Sequence, residues 1–264
     1  MKSITFHSYK GGTGKTTLAA NIAVILAQAG HNVALLDMDF TAPSLHTLFG
    51  ISDNKAYLND YIDNKAKVSD ILINVAPTLG LKSKLLISFS NPNVGVIREQ
   101  LSKDRKWQMK ALSQLLVLKK ELESRNIDYL ILDSAPGIHY GSVNAIVISD
   151  FTILVSKVDN FDFDGIVKII DDLYKTLDKK TYILFNKVVM PLFQEPNYSN
   201  MMQIIDETFK DRSEIIGFIP CYCTVPLGMG SEIFAITQPE LPFVQEVKKT
   251  TDKIKELAAK IEKE

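Results

Sequence analysis

An α/β fold built on a parallel sheet is what this sequence predicts, and three observations predict it. Residues 3–8 alternate and are rich in β-formers, and a glycine-rich loop and then a helical apolar period follow them directly. Further short apolar runs at 32–37, 128–133, 151–156, 181–185 and 214–219 read as strands, the first of them of the type that parallel strands buried on both faces require. The first strand, the helix and the second strand fit within about thirty-five residues, the size of a right-handed βαβ unit.

The loop is Tyr9-Lys10-Gly11-Gly12-Thr13-Gly14-Lys15-Thr16-Thr17. Its glycines let the backbone close around an anion, and the N–H groups of the helical turn that follows point at that anion. In such a cradle Lys15 reaches the β- and γ-phosphates of a nucleotide and the Thr16 hydroxyl binds Mg²⁺. The helix carries Leu18, Ile22, Ile25 and Leu26 on one face and ends near Gly30, the favoured residue past a helix C-terminus. The generic P-loop has a glycine where Tyr9 stands; instead, a second lysine, Lys10, precedes Gly11-Gly12. A glycine-rich turn that merely starts a helix would not need the strand, the loop and both lysines together.

In these residues the chain resembles the ParA/MinD family of dimerising ATPases, whose relatives include the nitrogenase iron protein and metal-insertion ATPases such as CooC. The resemblance implies a single doubly wound, mostly parallel sheet flanked by helices, in one P-loop ATPase domain over residues 1–264. It also implies ATP and Mg²⁺ as ligands, a homodimer formed on ATP binding, and Lys10 crossing to the other subunit's phosphates. Gly11, Gly12, Thr13, Gly14, Lys15, Thr16 and Thr17 are then the phosphate-binding residues.

The second strand closes on Asp37-Met38-Asp39, two carboxylates on one face of an extended chain at the carboxyl end of the sheet, where ligands of open parallel sheets bind. They can position water or hold the metal's water shell, whereas the plainer reading is a capping turn. The family's switch I implies that Asp39 orients the hydrolytic water, and Pro43-Ser44 after it resembles the MinD and iron–sulfur-carrier branch. A further apolar strand closes on Asp133-Ser134-Ala135-Pro136-Gly137. Asp133 has the Walker B position, accepting hydrogen bonds from Mg²⁺-bound water or from Thr16, and Pro136-Gly137 resembles switch II. Thr16, Asp39 and Asp133 are thus the metal set. His139 here is a surface or interface side chain before it is a pH sensor.

Between 51 and 108 the pattern is less informative: a short helix at 57–62, a strand over 81–89, and a loop at 88–94 that is a candidate for a subunit face. Residues 107–123 predict a helix with Met109, Leu112, Leu115, Leu116 and Leu122 on its buried side, and Trp107 as core. The Asp159-Asn160-Phe161-Asp162-Phe163-Asp164-Gly165 segment reads as a loop. It fails the EF-hand spacing, because Asp164 and Ile170 stand where Gly and Glu are required, and the resemblance makes Asp164 the match for a partner-facing acid. Asn186, at a strand end, matches the family's adenine-edge asparagine. Pro220 closes the last strand and opens a loop lying over the base.

A helix is expected around 230–236. The terminal helix carries Phe243, Val247, Ile254, Leu257 and Ile261 in a narrow stripe that suits packing on the domain better than a membrane surface. Its lysines 248, 249, 253, 255, 260 and 263 form a solvated face, and also the chain's best patch for non-specific DNA or anionic lipid. Cys221 and Cys223 are the only cysteines, too few for a disulfide framework; across a twofold axis such a pair would suit Zn²⁺ or an iron–sulfur cluster.

Net charge is −1 and only four of the thirty basic residues are Arg, so no global basic field advertises nucleic acid and any phosphate-backbone contact rests on Lys. Strand-like sequence from residue 3 and the lack of long apolar runs predict a cytoplasmic protein. These readings lead to an ATP-gated dimeric switch used in DNA partitioning, with a stimulating partner protein. The alternatives are membrane-surface positioning and metallocentre assembly.

Overall fold

A computed structural model of the chain describes residues 1–52 and 54–261. Eight strands form one sheet: β1 (Lys2–His7), β2 (Val33–Met38), β3 (Ile73–Asn74), β4 (Leu85–Ser88), β5 (Tyr129–Ser134), β6 (Phe151–Ser156), β7 (Lys180–Val188) and β8 (Glu214–Pro220). Their order is β3-β4-β2-β5-β1-β6-β7-β8; only the short edge pair β3–β4 is antiparallel. The chain winds from β1 outward to one side and later to the other, so β1 lies at the switch point where such sheets bind ligands.

Alternation along the central strands explains the helical layers. Val33 and Leu35 of β2 and Ile131 of β5 face the helix Lys15–Gln28 and the terminal helix Pro242–Ile261. Ala34, Leu36, Leu130 and Leu132 face the opposite layer, which holds the helix Arg105–Ser124. Beyond them Leu154, Ile183 and Phe185 pack on the helices Asn160–Ile169 and Asn197–Phe209. A strand sandwiched in this way is apolar at every position, which is why these runs are continuous rather than alternating.

Several boundaries differ from the sequence expectation, each for a physical reason. The strand expected over 81–89 is only Leu85–Ser88, because the ladder with β2 starts at Val33 opposite Leu85. The expected loop at 88–94 is short: Ser88 ends β4, Phe89 and Ser90 are buried, and Asn93 caps an unanticipated helix, Val94–Leu101, by accepting from the Gly95 amide at 2.8 Å. The helix Arg105–Ser124 buries Ala111, Leu115, Leu118 and Leu122, while Met109 and Leu116 face outward. The stripe steps by four, three and four residues, and Met109 and Leu116 lie off that line. Trp107 is half-buried and its Nε1–H donates to Asp63 Oδ1 at 2.6 Å.

The acidic segment expected as a loop is instead a helix start: Asp159 accepts from the Asp162 amide at 2.8 Å and caps Asn160–Ile169. The helix expected around 230–236 is two short pieces, Thr224–Leu227 and Phe234–Thr237. On the terminal helix, Phe243, Val247, Ile254 and Leu257 are buried and Ile261 is half-buried against the domain. Lys249, Lys253 and Lys255 pair with Glu246, Glu214 or Glu256, and Asp252. Lys263 lies outside the described residues.

The face assignment of the helix Arg105–Ser124 is checked by urea unfolding. Leu118→Ala should cost about 2–5 kcal/mol, whereas Met109→Ala, on the outward face, should change stability by no more than about 0.5 kcal/mol.

Candidate functional site

The loop between β1 and the helix Lys15–Gln28 turns back on itself at two left-handed glycines, Gly12 (φ +76°) and Gly14 (φ +91°). Gly14 is required twice over: a Cβ there would be strained and would stand 2.5 Å from Asn186 Nδ2. The loop is gripped from behind. Asn186 Nδ2–H donates to the Thr13 carbonyl at 2.8 Å, and Lys187 Nζ donates to the Gly12 carbonyl at 2.9 Å. A peptide's C=O and N–H point in opposite directions, so the Thr13 and Gly14 amides face away from Asn186 and Lys187. Lys187 was not legible as part of this grip; its position directly after Asn186 is the only sequence signal.

Lys15 is buried. Beside it and near the Thr16 hydroxyl lies Asp133, which the pairing of β1 with β5 carries to the same edge of the sheet. Asp133 lies directly opposite Asp37 in the β2–β5 ladder. Burial pushes the Asp133 carboxyl up to about 6, while the Lys15 ammonium pulls against that rise. Burial and the Asp133 and Asp39 charges push Asp37 well above the usual carboxylate range. Asp37 is an internal brace: its oxygens accept from the amides of Asp39 (3.0 Å) and Leu45 (3.4 Å). Asp39 Oδ1 caps the next turn, accepting from the Thr41 amide and hydroxyl and the Ala42 amide. The capping reading of this pair is what these bonds show, and Asp39 Oδ2 lies outside that capping set.

The residues present fit Mg²⁺. Asp133 Oδ1 is buried and has no hydrogen-bond partner, and it lies with the Thr16 hydroxyl and two further carboxylates, all hard oxygen donors. Among the described residues no group of three or more His, Cys, Asp or Glu is arranged to hold a metal by itself. This agrees with the habit of Mg²⁺ of taking one or two protein ligands together with phosphate and water.

A cavity of about 420 Å³ opens beside the loop, lined by Gly14, Asn186, Pro220, Tyr222, Phe234 and Phe243 among others. Its largely apolar lining, with Asn186, Lys187 and Glu232 as polar groups, suits a base. Asn186 and Pro220 both line this cavity, and the Asn186 amide N–H is spent on the loop. Cys221 also lines this cavity, half-buried; Cys223 is exposed, and both thiols are free.

Lys10 does not point into its own cradle. Its ammonium pairs with Asp162 Oδ1 at 3.1 Å and lies 5.4 Å from the centre of the Phe161 ring. Asp162 is buried, while Asp164, the acid singled out in the sequence, is exposed on the same helix. Tyr9 lies against Gly165, where no Cβ would fit. Switch II closes over the loop: the Gly137 amide donates to Ser8 O at 2.8 Å. His7, which the sequence reading left as an ordinary strand residue, is buried beneath it. His139 stands at the N-terminus of the helix Tyr140–Ile148.

A glycine cradle, a buried lysine, a Thr–Asp pair and a base-sized cavity at the switch point of a parallel sheet define a P-loop nucleotide-binding protein. Residues 4–225 match the CobQ/CobB/MinD/ParA nucleotide binding domain, and the chain belongs to that family. It is 28% identical over 221 residues to the septum site-determining protein MinD of Helicobacter pylori, covering 82% of this chain and 77% of that one. Among solved structures it resembles the MinD of Pyrococcus horikoshii complexed with Mg-ADP (TM-score 0.76, 20% identity, 98% of each chain). It also resembles a Borrelia burgdorferi plasmid partition protein bound to AMPPNP (TM-score 0.74, 17% identity, 97% of this chain and 99% of that one).

The raised Asp133 carboxyl has a consequence for stability. Between its ordinary value of 3.8 and about 6 the folded chain holds a proton that the unfolded chain releases. Stability therefore falls as pH rises through that window, and the cost is complete above it. Asp133→Asn should raise the stability of the ligand-free protein by roughly 1–3 kcal/mol at pH 7.5 and by much less near pH 4, as read by thermal melts across pH.

Proposed function

We propose that this chain is a cytoplasmic, Mg²⁺-dependent ATPase that works as an ATP-gated dimeric switch, with positioning of DNA cargo as its first use. The observation that carries the switch reading is Lys10. It is a cation at the mouth of a phosphate cradle, half-exposed, and turned onto Asp162 rather than into its own loop. A lysine so placed can serve the phosphates of a second copy, where it would stabilise transition-state charge as an arginine finger does.

In this reading the remaining residues take the following roles. The Thr13 and Gly14 amides and the Lys15 ammonium bind the phosphates. Thr16 and Asp133 hold Mg²⁺, which when bound neutralises charge on the phosphoryl oxygens. Asp39 orients the attacking water through the oxygen not used in its turn. The cavity beside Asn186 and Pro220 takes the adenine. Two chains closed face to face around ATP, and released by hydrolysis, form a two-state element that a partner protein can bias.

For the cargo, the terminal helix is informative. Its apolar side is buried in the domain, leaving no free apolar face of the kind that surface-bound helices need. No helix among the described residues is long and apolar enough to cross a membrane. Outward the helix exposes Lys249 and Lys260 with Asp252 and Glu256 between them, and its lysines are the cations available to a polyanion such as DNA. Membrane positioning is the second reading, supported by the likeness to proteins named MinD. Metallocentre assembly would have to use Cys221, which stands in the base cavity.

Lys10→Ala should leave ATP affinity within about two-fold and lower kcat by roughly 10²-fold or more; unchanged turnover would remove the trans-lysine. Asp39→Ala should trap an ATP-bound dimer, visible by size-exclusion chromatography with light scattering. Retention of that trapped protein on a non-specific duplex, with ATP but not ADP and weakening as salt rises, tests the DNA role. Binding to anionic vesicles instead would select the membrane reading.

A further inference from the structure

His7 is the last residue of β1, fully buried, and both of its ring nitrogens are engaged. Nε2 lies 2.8 Å from the Gly137 carbonyl, which can only accept, so Nε2 carries the proton. Nδ1 therefore accepts, and the Tyr174 hydroxyl donates to it at 2.6 Å. Burial lowers the imidazole to about 4, in keeping with a neutral ring locked in one tautomer. Ser142 Oγ donates to the same Gly137 carbonyl at 2.9 Å. Gly137 has φ +72° and its amide is held by Ser8 O, so this one residue of switch II is fastened on both sides.

Tyr174 is fully buried and ends a π-helical turn, Ile170–Tyr174, that continues the helix Asn160–Ile169. Such turns displace one residue from the regular helical ladder. The same continuous element carries Asp162, which pairs with Lys10, and Gly165, against which Tyr9 lies. One helix thus contacts the phosphate loop at its lysine, the loop at its tyrosine and, through His7, switch II.

We propose that His7 is a positioning residue: the Tyr174–His7–Gly137 chain of hydrogen bonds ties switch II to the helix that holds Lys10, so that hydrolysis, but not nucleotide binding, depends on it. The proposal rests on the ATPase reading above. None of the three residues is placed to touch the base, and a neutral buried imidazole does no acid–base work here. Its effect is on where the Gly137 turn sits relative to the loop, a placement that matters for the transition state and little for the ground state.

The test is steady-state ATP turnover and equilibrium ATP binding by the full chain and its Tyr174→Phe variant, which loses a single hydroxyl. Alongside runs hydrogen exchange of residues 135–142. An Ile205→Val variant, in the same core but away from the site, serves as a control for stability. Tyr174→Phe should lower kcat roughly three- to ten-fold, leave the ATP dissociation constant within about two-fold, and speed exchange in 135–142. Ile205→Val should do none of these. His7→Gln, whose amide N–H can still reach the Gly137 carbonyl, should retain more turnover than His7→Leu. Wild-type turnover with an unchanged kcat in Tyr174→Phe overturns the positioning role and leaves the ATPase reading intact. Equal losses in Tyr174→Phe and Ile205→Val reduce the chain of bonds to ordinary packing and overturn it too. A wild-type chain that neither binds nor hydrolyses ATP overturns both.

Discussion

The grip on the phosphate loop from behind is the interaction on which the rest of the site depends. A glycine-rich loop has little conformational preference of its own, and ordering it costs entropy. Here two consecutive side chains of β7, Asn186 and Lys187, hold the Thr13 and Gly12 carbonyls. Those bonds fix the loop's carbonyls, and they join the loop to the strand that also walls the adjoining cavity. The loop and the cavity beside it are therefore set by one strand. Lys187 adopts φ +57° to make its contact. For a residue other than glycine that conformation is costly, and it marks the spot as specialised.

The second constraint is electrostatic. Three carboxylates come together at the carboxyl ends of β2 and β5, with only Lys15 close by to offset them. Burial first, and then the neighbouring carboxylates, hold the pKa values of Asp37 and Asp133 above the usual carboxylate range. The unpartnered Asp133 oxygen suits a cation, since a buried acceptor without a donor is retained where a ligand is to supply one. Asp37 and Asp39 both show the structural use of a carboxylate, bracing and capping the turn that follows β2.

Lys10, Tyr9 and Gly137 are contacted, directly or through His7, by one helix with a π-helical end. A change at any of these contacts must be accommodated by the others, because packed elements shift between discrete arrangements rather than deform smoothly. Phe161, at the exposed tip of that helix and 80% accessible, lies under the Lys10 ammonium. This places the most exposed aromatic ring of the chain beside the residue on which dimer-linked hydrolysis would turn.

Local chemistry was enough to determine much of this protein. The two lysines and glycines of the loop, the aspartates closing β2 and β5, and the unbroken apolar strands could be read in order, because each depends on residues adjacent in the chain and on a period of two or 3.6. The β6 boundaries came out the same from sequence and structure, as a strand with both faces buried permits no alternative. Where the sequence pattern was ambiguous it misled: Met109 and Leu116 are apolar yet outward, and the aspartates at 159–164 cap and decorate a helix rather than line a loop. Only the tertiary structure decided what lies far apart in sequence. His7 meets Gly137 and Tyr174, Lys187 reaches back to Gly12, and Lys10 finds Asp162. Each of these bonds closes a separation of more than a hundred residues. No local propensity encodes such pairs; they exist because a parallel sheet with its crossovers brings those strand and helix ends to one edge.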